Sequence, residues 1–148
     1  MPPFSRHTAR LCFLYLAFAT GLEAVRWTAS SVWDVPIWPW HRAIVHLFFV
    51  GGVMQIIFSV AYWMFPTPRK DLPRGSLGLA YASLVALNLG LLLRAVVEPI
   101  LFFYPMLSLR ILLVCAAWLQ WLGILLFLLL ILPRLQPRPK KQVEDARS

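Results

Sequence analysis

Five ionisable side chains fall inside long apolar runs or at their edges: Glu23, Arg42, His46, Arg94 and Glu98. Desolvating a charge is costly, so an ionisable residue in an apolar segment needs a partner and is a functional candidate. Arg94 and Glu98 are four apart, the spacing that puts two side chains on one helical face, and they can pair along it. Glu23 can reach Arg94 from a neighbouring helix. Two chemistries follow. One is an interfacial ion pair with the arginine stem laid along apolar surface. In the other, Arg94 holds an anionic group such as a propionate or a lipid phosphate.

His46 is placed by helical rotation. At about 100° per residue its face carries Arg42, Val50, Val53, Ile57 and Met64, while the opposite face collects Gly51, Gly52, Gln55, Ser59 and Tyr62. Small and polar residues let apolar helices approach closely, so the second face packs inward and His46 is expected to look away from it. A ligand there would serve a cofactor at a subunit boundary, or between this helix and a different neighbour; the alternative is a structural histidine near the interface, hydrogen-bonded to a neighbour. His41 and His46 are five apart, about 140° around a helix, and cannot chelate one ion together. His7 falls at the other end of the fold, so no three-histidine site is expected. Cys12 and Cys115 sit at different depths, read as small apolar residues, and are not expected to bridge. The chain shows no Ser-His-Asp set, phosphate-binding glycine loop or catalytic carboxylate pair, which argues against an autonomous hydrolase.

The elements that position these residues are apolar helices. Of 148 residues, 60% are hydrophobic and only 14% charged, with a mean hydropathy of +0.72, too few charges to cover a water-facing surface. Four runs suit helices that cross a ~30 Å hydrocarbon layer, over 9–26, 43–65, 77–97 and 109–132. Pro66 and Pro68 stop the second, Pro73 and Gly75 turn into the third, Pro99 ends the third and Pro133 the fourth. The net charge of +8 is a topology signal rather than a nucleic-acid one. Ten Lys and Arg (Arg6, Arg10, Arg69, Lys70, Arg74, Arg134, Arg138, Lys140, Lys141 and Arg147) fall on one side, against Arg26, Arg42, Arg94 and Arg110 on the other. The positive-inside rule puts the ten in the cytoplasm.

The expectation is an all-α integral membrane protein, a single domain over 1–148. It is an up-down four-helix bundle with N-in/C-in topology, short inner and longer outer connections, and a polar cytoplasmic tail at 134–148. It would reside in the cell (inner) membrane as a multi-pass protein. Glu23, Arg42, His46, Arg94 and Glu98 then gather in the outer leaflet. Arg6 and Arg10 before an apolar run, with Ala17-Phe18-Ala19, have the form of a cleaved signal; a retained first span is the expectation here. The segment 26–42 holds Trp27, Trp33, Trp38 and Trp40 and is expected to lie along the outer interface, where indole rings concentrate, or to offer an aromatic contact to a partner. Small stripes at Ala82, Ala86 and Gly90, and at Ala116, Gln120 and Gly123, mark helix–helix seams.

The stretch from His46 to Pro66, with its His-Leu start, Gly51 five residues on and the Tyr62-Trp63-Met64-Phe65-Pro66 exit, resembles the second transmembrane helix of the haem–copper oxidase subunit I superfamily, which includes nitric oxide reductase large subunits and short four-helix subunit-I-like proteins. The segment 87–99, with Asn88, Gly90, Arg94 and Glu98-Pro99, is similar to those short proteins. The resemblance covers about two of four helices. It implies a haem b with His46 as axial ligand and metal-binding residue, and Arg94 as cofactor-binding partner of a propionate. The other helices offer no second axial histidine, and the superfamily's copper-site histidines are absent. Oxygen or nitric oxide reduction by this chain alone is therefore not expected. The implied role is an accessory or haem-linked subunit of a membrane electron-transfer complex. The haem would lie between two copies or against a larger subunit. The alternative is a non-catalytic structural subunit that stabilises a larger respiratory or photosynthetic complex. Expected partners are membrane lipids and a homodimer or larger membrane-protein complex, not nucleic acid.

Overall fold

The structure, a computed structural model, describes residues 2–33, 38–65 and 75–135. It is all-helical. Helix α1 spans Pro3–Trp33 and α2 spans Trp38–His46; a π-helical segment, Leu47–Met54, joins α2 to α3 at Gln55–Met64; α4 spans Leu77–Phe103 and α5 spans Leu107–Ile131, ending in a 3-10 turn at Leu132–Leu135. Since α2, the π segment and α3 form one continuous rod, there are four long helices, each apolar and long enough to cross a membrane.

Local chemistry sets the ends. Pro3 opens α1, where its missing N–H costs nothing. Phe65, ahead of Pro66, turns to extended backbone (ψ 136°) and ends the second rod, as the proline ring requires of the residue before it. Gly75 takes a positive φ of 71°, and Ser76 then caps α4 by accepting from the Leu79 N–H at 3.3 Å. Pro66, Pro68 and Pro73 themselves, residues 34–37 and the tail 136–148 lie outside the described residues.

Three expectations are corrected. Pro99 does not end α4, which continues to Phe103. The lost hydrogen bond falls near the C-terminus, and the Tyr104 N–H still bonds the Ile100 carbonyl at 2.9 Å. The tryptophan segment is mostly helix, because α1 runs to Trp33 and α2 begins at Trp38. Connections 34–37 and 104–106 are consequently short, and the longest lies at the opposite end, over 65–76, reversing the expected pattern.

Neighbouring helices alternate in direction. Ser5 of α1 meets Ser59 and Tyr15 meets Gly51, so the first two rods are antiparallel. Gln55 bonds Asn88 while His46 lies against Glu98, and Gly90 lies on Ala116 while Gly123 lies on Leu87, so α4 and α5 reverse in turn. The face predicted to pack inward does so: Gly51, Gly52, Gln55, Ser59 and Tyr62 are all buried. In a regular helix residues four apart drift by about 40°. The wider π turn removes much of that drift and keeps Leu47, Gly51 and Gln55 in one buried line.

The core has two parts. Near the start of α1, Phe4, Phe58, Tyr62, Leu84, Leu87, Phe127 and Leu130 pack together, with Phe58 and Phe127 stacked at 3.7 Å. Toward the other end Ala19, Ile44, Leu47 and Leu91 form a second cluster to which α5 contributes nothing. Between Leu107 and Cys115 only Leu109 and Leu113 are even half-buried. Helix α5 therefore leans on α4 alone at this end, and among the described residues it does not meet α1.

Candidate functional site

The polar centre lies where α2 begins and α4 ends. One turn separates Arg94 from Glu98, and the Arg94 Nε donates to Glu98 Oε1 at 2.7 Å. The Glu98 side chain is 7% exposed, so this charge is paired largely out of solvent. His46 of α2 brings its Nδ1 to 3.7 Å from Glu98 Oε2, too long for a hydrogen bond. The same Nδ1 lies 2.8 Å from the Arg42 carbonyl oxygen. A carbonyl only accepts, so Nδ1 carries a proton, and in the neutral ring Nε2 holds the lone pair. Glu98 Oε2 is buried without a hydrogen-bond partner among the described residues.

Of the two placements open to His46, a subunit boundary or a position between the second helix and a different neighbour, it takes the second: it is half-buried beside α4. The reason is its place in the helix. Leu47, the next residue, begins the buried line, so His46 sits at its flank rather than opposite it.

Beside this cluster is a cleft of about 740 Å³ between α2, α4 and α5, lined by Pro39, Arg42, Arg94, Glu98, Leu101, Phe102 and Leu113. The guanidinium of Arg42 has no partner among the described residues, and Arg94 uses only its Nε on Glu98. Two cations and one carboxylate thus line a cavity whose remaining walls are apolar. His46 is not among the lining residues.

Three of the expected residues, His46, Arg94 and Glu98, are brought together, and Arg42 joins them through its carbonyl and the cleft. Glu23 does not. It accepts from Arg26 Nε at 2.8 Å and from Trp27 Nε1 at 2.9 Å, with a further contact to Arg26 Nη2, all within α1. Partners three and four residues away on its own helix require no bridging between helices, so Glu23 pairs locally. Cys12 and Cys115 are free thiols. Among the described residues no group of three or more His, Cys, Asp or Glu could hold a metal ion.

Other buried polar contacts fasten helices at greater depth. Gln55, fully buried, donates to the Asn88 side chain at 3.0 Å; Ser83 donates to the Gly123 carbonyl at 2.7 Å; Ser59 donates to the Ser5 carbonyl at 2.8 Å. Arg134, 3% exposed, donates to the Tyr62 carbonyl at 3.2 Å and lies 4.7 Å above the Tyr62 ring. Sequence reasoning had assigned Arg134 to the solvated tail. Pro133 and Arg134 lie in the 3-10 turn that closes α5, and no residue pattern announces that the Arg134 side chain is buried there. Comparison with known protein families, curated proteins and solved structures finds no match, so the likeness of 46–66 to haem–copper oxidase subunits rests on those residues alone.

Proposed function

We propose that this chain is a multi-pass protein of the cell's inner membrane, with both ends cytoplasmic, and that it serves as a non-catalytic accessory subunit of a larger membrane complex of the electron-transfer type. Four apolar helices and the ten-to-four bias of Lys and Arg support insertion with this orientation. One observation carries the accessory role. Trp118 and Trp121 lie halfway along α5, 63% and 54% exposed, with their rings edge to face at 5.4 Å. Trp118 is about 12 Å along the helix from Arg110, well below the headgroup layer where tryptophan concentrates. Neither indole N–H has an acceptor among the described residues. An unmet donor in hydrocarbon costs a few kcal/mol, and a neighbouring helix that presents a hydroxyl or carbonyl removes that cost.

The test is a double Trp118→Phe/Trp121→Phe variant, which keeps the rings and removes both donors. Extracted in mild detergent, the wild-type chain should migrate with a larger assembly on a native gel, and the variant should run free while remaining helical. A wild-type chain that migrates alone overturns the proposal. Fusions that report either terminus as external overturn the orientation.

One contact favours a second reading. The Nδ1–H of His46 held by the Arg42 carbonyl is the arrangement that aims a histidine Nε2 at a metal, and a haem b shared with another copy or a larger subunit could take it. Arg94 lines the cleft, and His46 lies on the other side of Glu98 from it. Purified protein reduced with dithionite should then show sharp haem bands that His46→Ala abolishes. A colourless protein ends this reading and leaves the accessory one standing.

A further inference from the structure

The cleft between α2, α4 and α5 has a composition that the accessory role does not use. We propose that it is a binding site for a lipid with a monoanionic phosphodiester headgroup, the phosphate held by Arg42 and Arg94 between the walls formed by Leu101, Phe102 and Leu113. The proposal rests on the bilayer insertion argued above but not on any partner subunit.

Charge sets the ligand class. Arg42 and Arg94 contribute two positive charges to the cavity and Glu98 one negative, a net of one cation facing the cleft. Glu98 is already engaged, with Oε1 on Arg94 Nε at 2.7 Å and Oε2 directed at His46, so it does not neutralise Arg42. The Nη groups of Arg94 and the whole guanidinium of Arg42 remain available to an anion in the cleft. Guanidinium matches the tetrahedral oxygens of phosphate with paired hydrogen bonds. One monoanionic diester balances the site. A zwitterionic headgroup brings a second cation into a cavity that already has an excess of one.

Shape and depth agree with this assignment. A volume of about 740 Å³ is in the range of small-molecule sites and takes a headgroup with the upper part of its chains. Leu101 and Phe102 lie beyond Arg94 and Glu98 toward the α4 C-terminus, and Leu113 lies on the facing stretch of α5, whose exposed side leaves a path for acyl chains toward the middle of the bilayer. The cavity lies at the helix ends, at the level where phosphates sit in a bilayer.

The experiment uses the full chain in detergent, first shown to resist alkaline extraction from membranes; a chain released by alkali refutes insertion itself, separately from the lipid site. Native mass spectrometry and thermal midpoints are then read with phosphatidylglycerol, phosphatidylcholine or inorganic phosphate added. Phosphatidylglycerol should remain bound and raise the midpoint, phosphatidylcholine should bind at least tenfold more weakly, and inorganic phosphate should neither shift the midpoint nor compete at millimolar levels. Arg42→Gln, an exposed side chain with no partner to lose, should weaken phosphatidylglycerol at least tenfold without lowering the lipid-free midpoint. Leu113→Trp, which fills the cleft, should abolish the adduct. Equal retention of both lipids, a shift with inorganic phosphate alone, or unchanged binding by both variants overturns the proposal.

Discussion

A methyl group placed on Gly90 would meet the Ala116 carbonyl oxygen at 2.6 Å and the Gln120 amide nitrogen at 3.0 Å. Ordinary contact begins at 3.4 Å, so at this point α4 and α5 must separate by about the 0.8 Å difference. The obstacles are backbone atoms of a regular helix and cannot rotate aside. A gap of that size forfeits roughly a quarter to a half of the dispersion energy of each contact it opens, along the most extensive interface in the protein. Overpacking of this kind costs about 1–3 kcal/mol, while replacing glycine by alanine returns up to ~1 kcal/mol of helix propensity. The net expectation for Gly90→Ala is a loss of about 1–2 kcal/mol. Gly123→Ala should cost slightly more. Its methyl would lie 2.8 Å from the Leu87 amide nitrogen and would also stretch the 2.7 Å Ser83–Gly123 bond, a contact worth roughly 0.6 kcal/mol between membrane helices. Because either change opens the same seam, the double variant should lose less than the two single losses combined. Gly21→Ala is the control, with nothing within 4 Å of the added carbon. Helicity followed during SDS titration of the protein in mixed micelles gives the stability of each. If Gly90→Ala unfolds at the same SDS fraction as Gly21→Ala, close backbone approach does not hold α4 to α5, and the account of the seam is wrong.

Two further outcomes concern the buried charges. Glu98→Gln keeps the side chain's shape and an acceptor for Arg94 but removes the anion between Arg94 and His46, and should destabilise by about 1–2 kcal/mol in the same titration, since the buried Arg94 charge loses its counter-ion. Adding Arg94→Gln should then cost little more, which a double-mutant cycle will register as coupling. Arg134→Lys keeps the charge but loses the flat stack on the Tyr62 ring at 4.7 Å, and should lower stability by about 1 kcal/mol. Tyr62→Leu should narrow the difference between Arg and Lys at that position, because the ring contact goes while the bond to the residue 62 carbonyl stays.

The sequence disclosed the four long helices, the inward face of the second and the proximity of Arg94 to Glu98, because each depends on composition or on spacing within one helix. Gly51, Gln55, Ser59 and Tyr62 form a small and polar stripe in an apolar run, and such a stripe has no reason to face lipid. The local ends were less legible. Pro99 reads as a stop, but a proline one turn from a helix end sacrifices a single hydrogen bond, and apolar residues 100–103 gain more by continuing the helix. Which helix a polar group would choose was not legible at all. Glu23 had local partners in Arg26 and Trp27 as well as a distant one in Arg94, and only the rotation of α1 in the bundle decides between them. His46 shows the same limit, since its orientation depends on a π segment that no residue pattern announces.

The shape of the polar cleft follows from residue sizes along one seam. From the middle of the bundle toward its α4 C-terminal end, the residues α4 and α5 place opposite each other begin as Ser83 and Leu87 against Gly123, then Gly90 against Ala116 and Gln120. At each of these levels one partner is glycine, and the backbones touch. Beyond Gly90 no glycine remains on either helix: α4 presents Arg94, Glu98, Leu101 and Phe102, and α5 presents Leu113. These side chains and Arg42 of α2 line the cleft. The closest backbone approach ends at Gly90, one turn below the charges. Gly90 thus anchors the closed part of the seam and sets the depth of the open part. A bulkier residue at that position should enlarge the cleft as well as weaken the bundle, and the same Gly90→Ala variant should show it as altered protection of Arg94 from guanidinium-modifying reagents. Unchanged protection would separate the cleft from the seam.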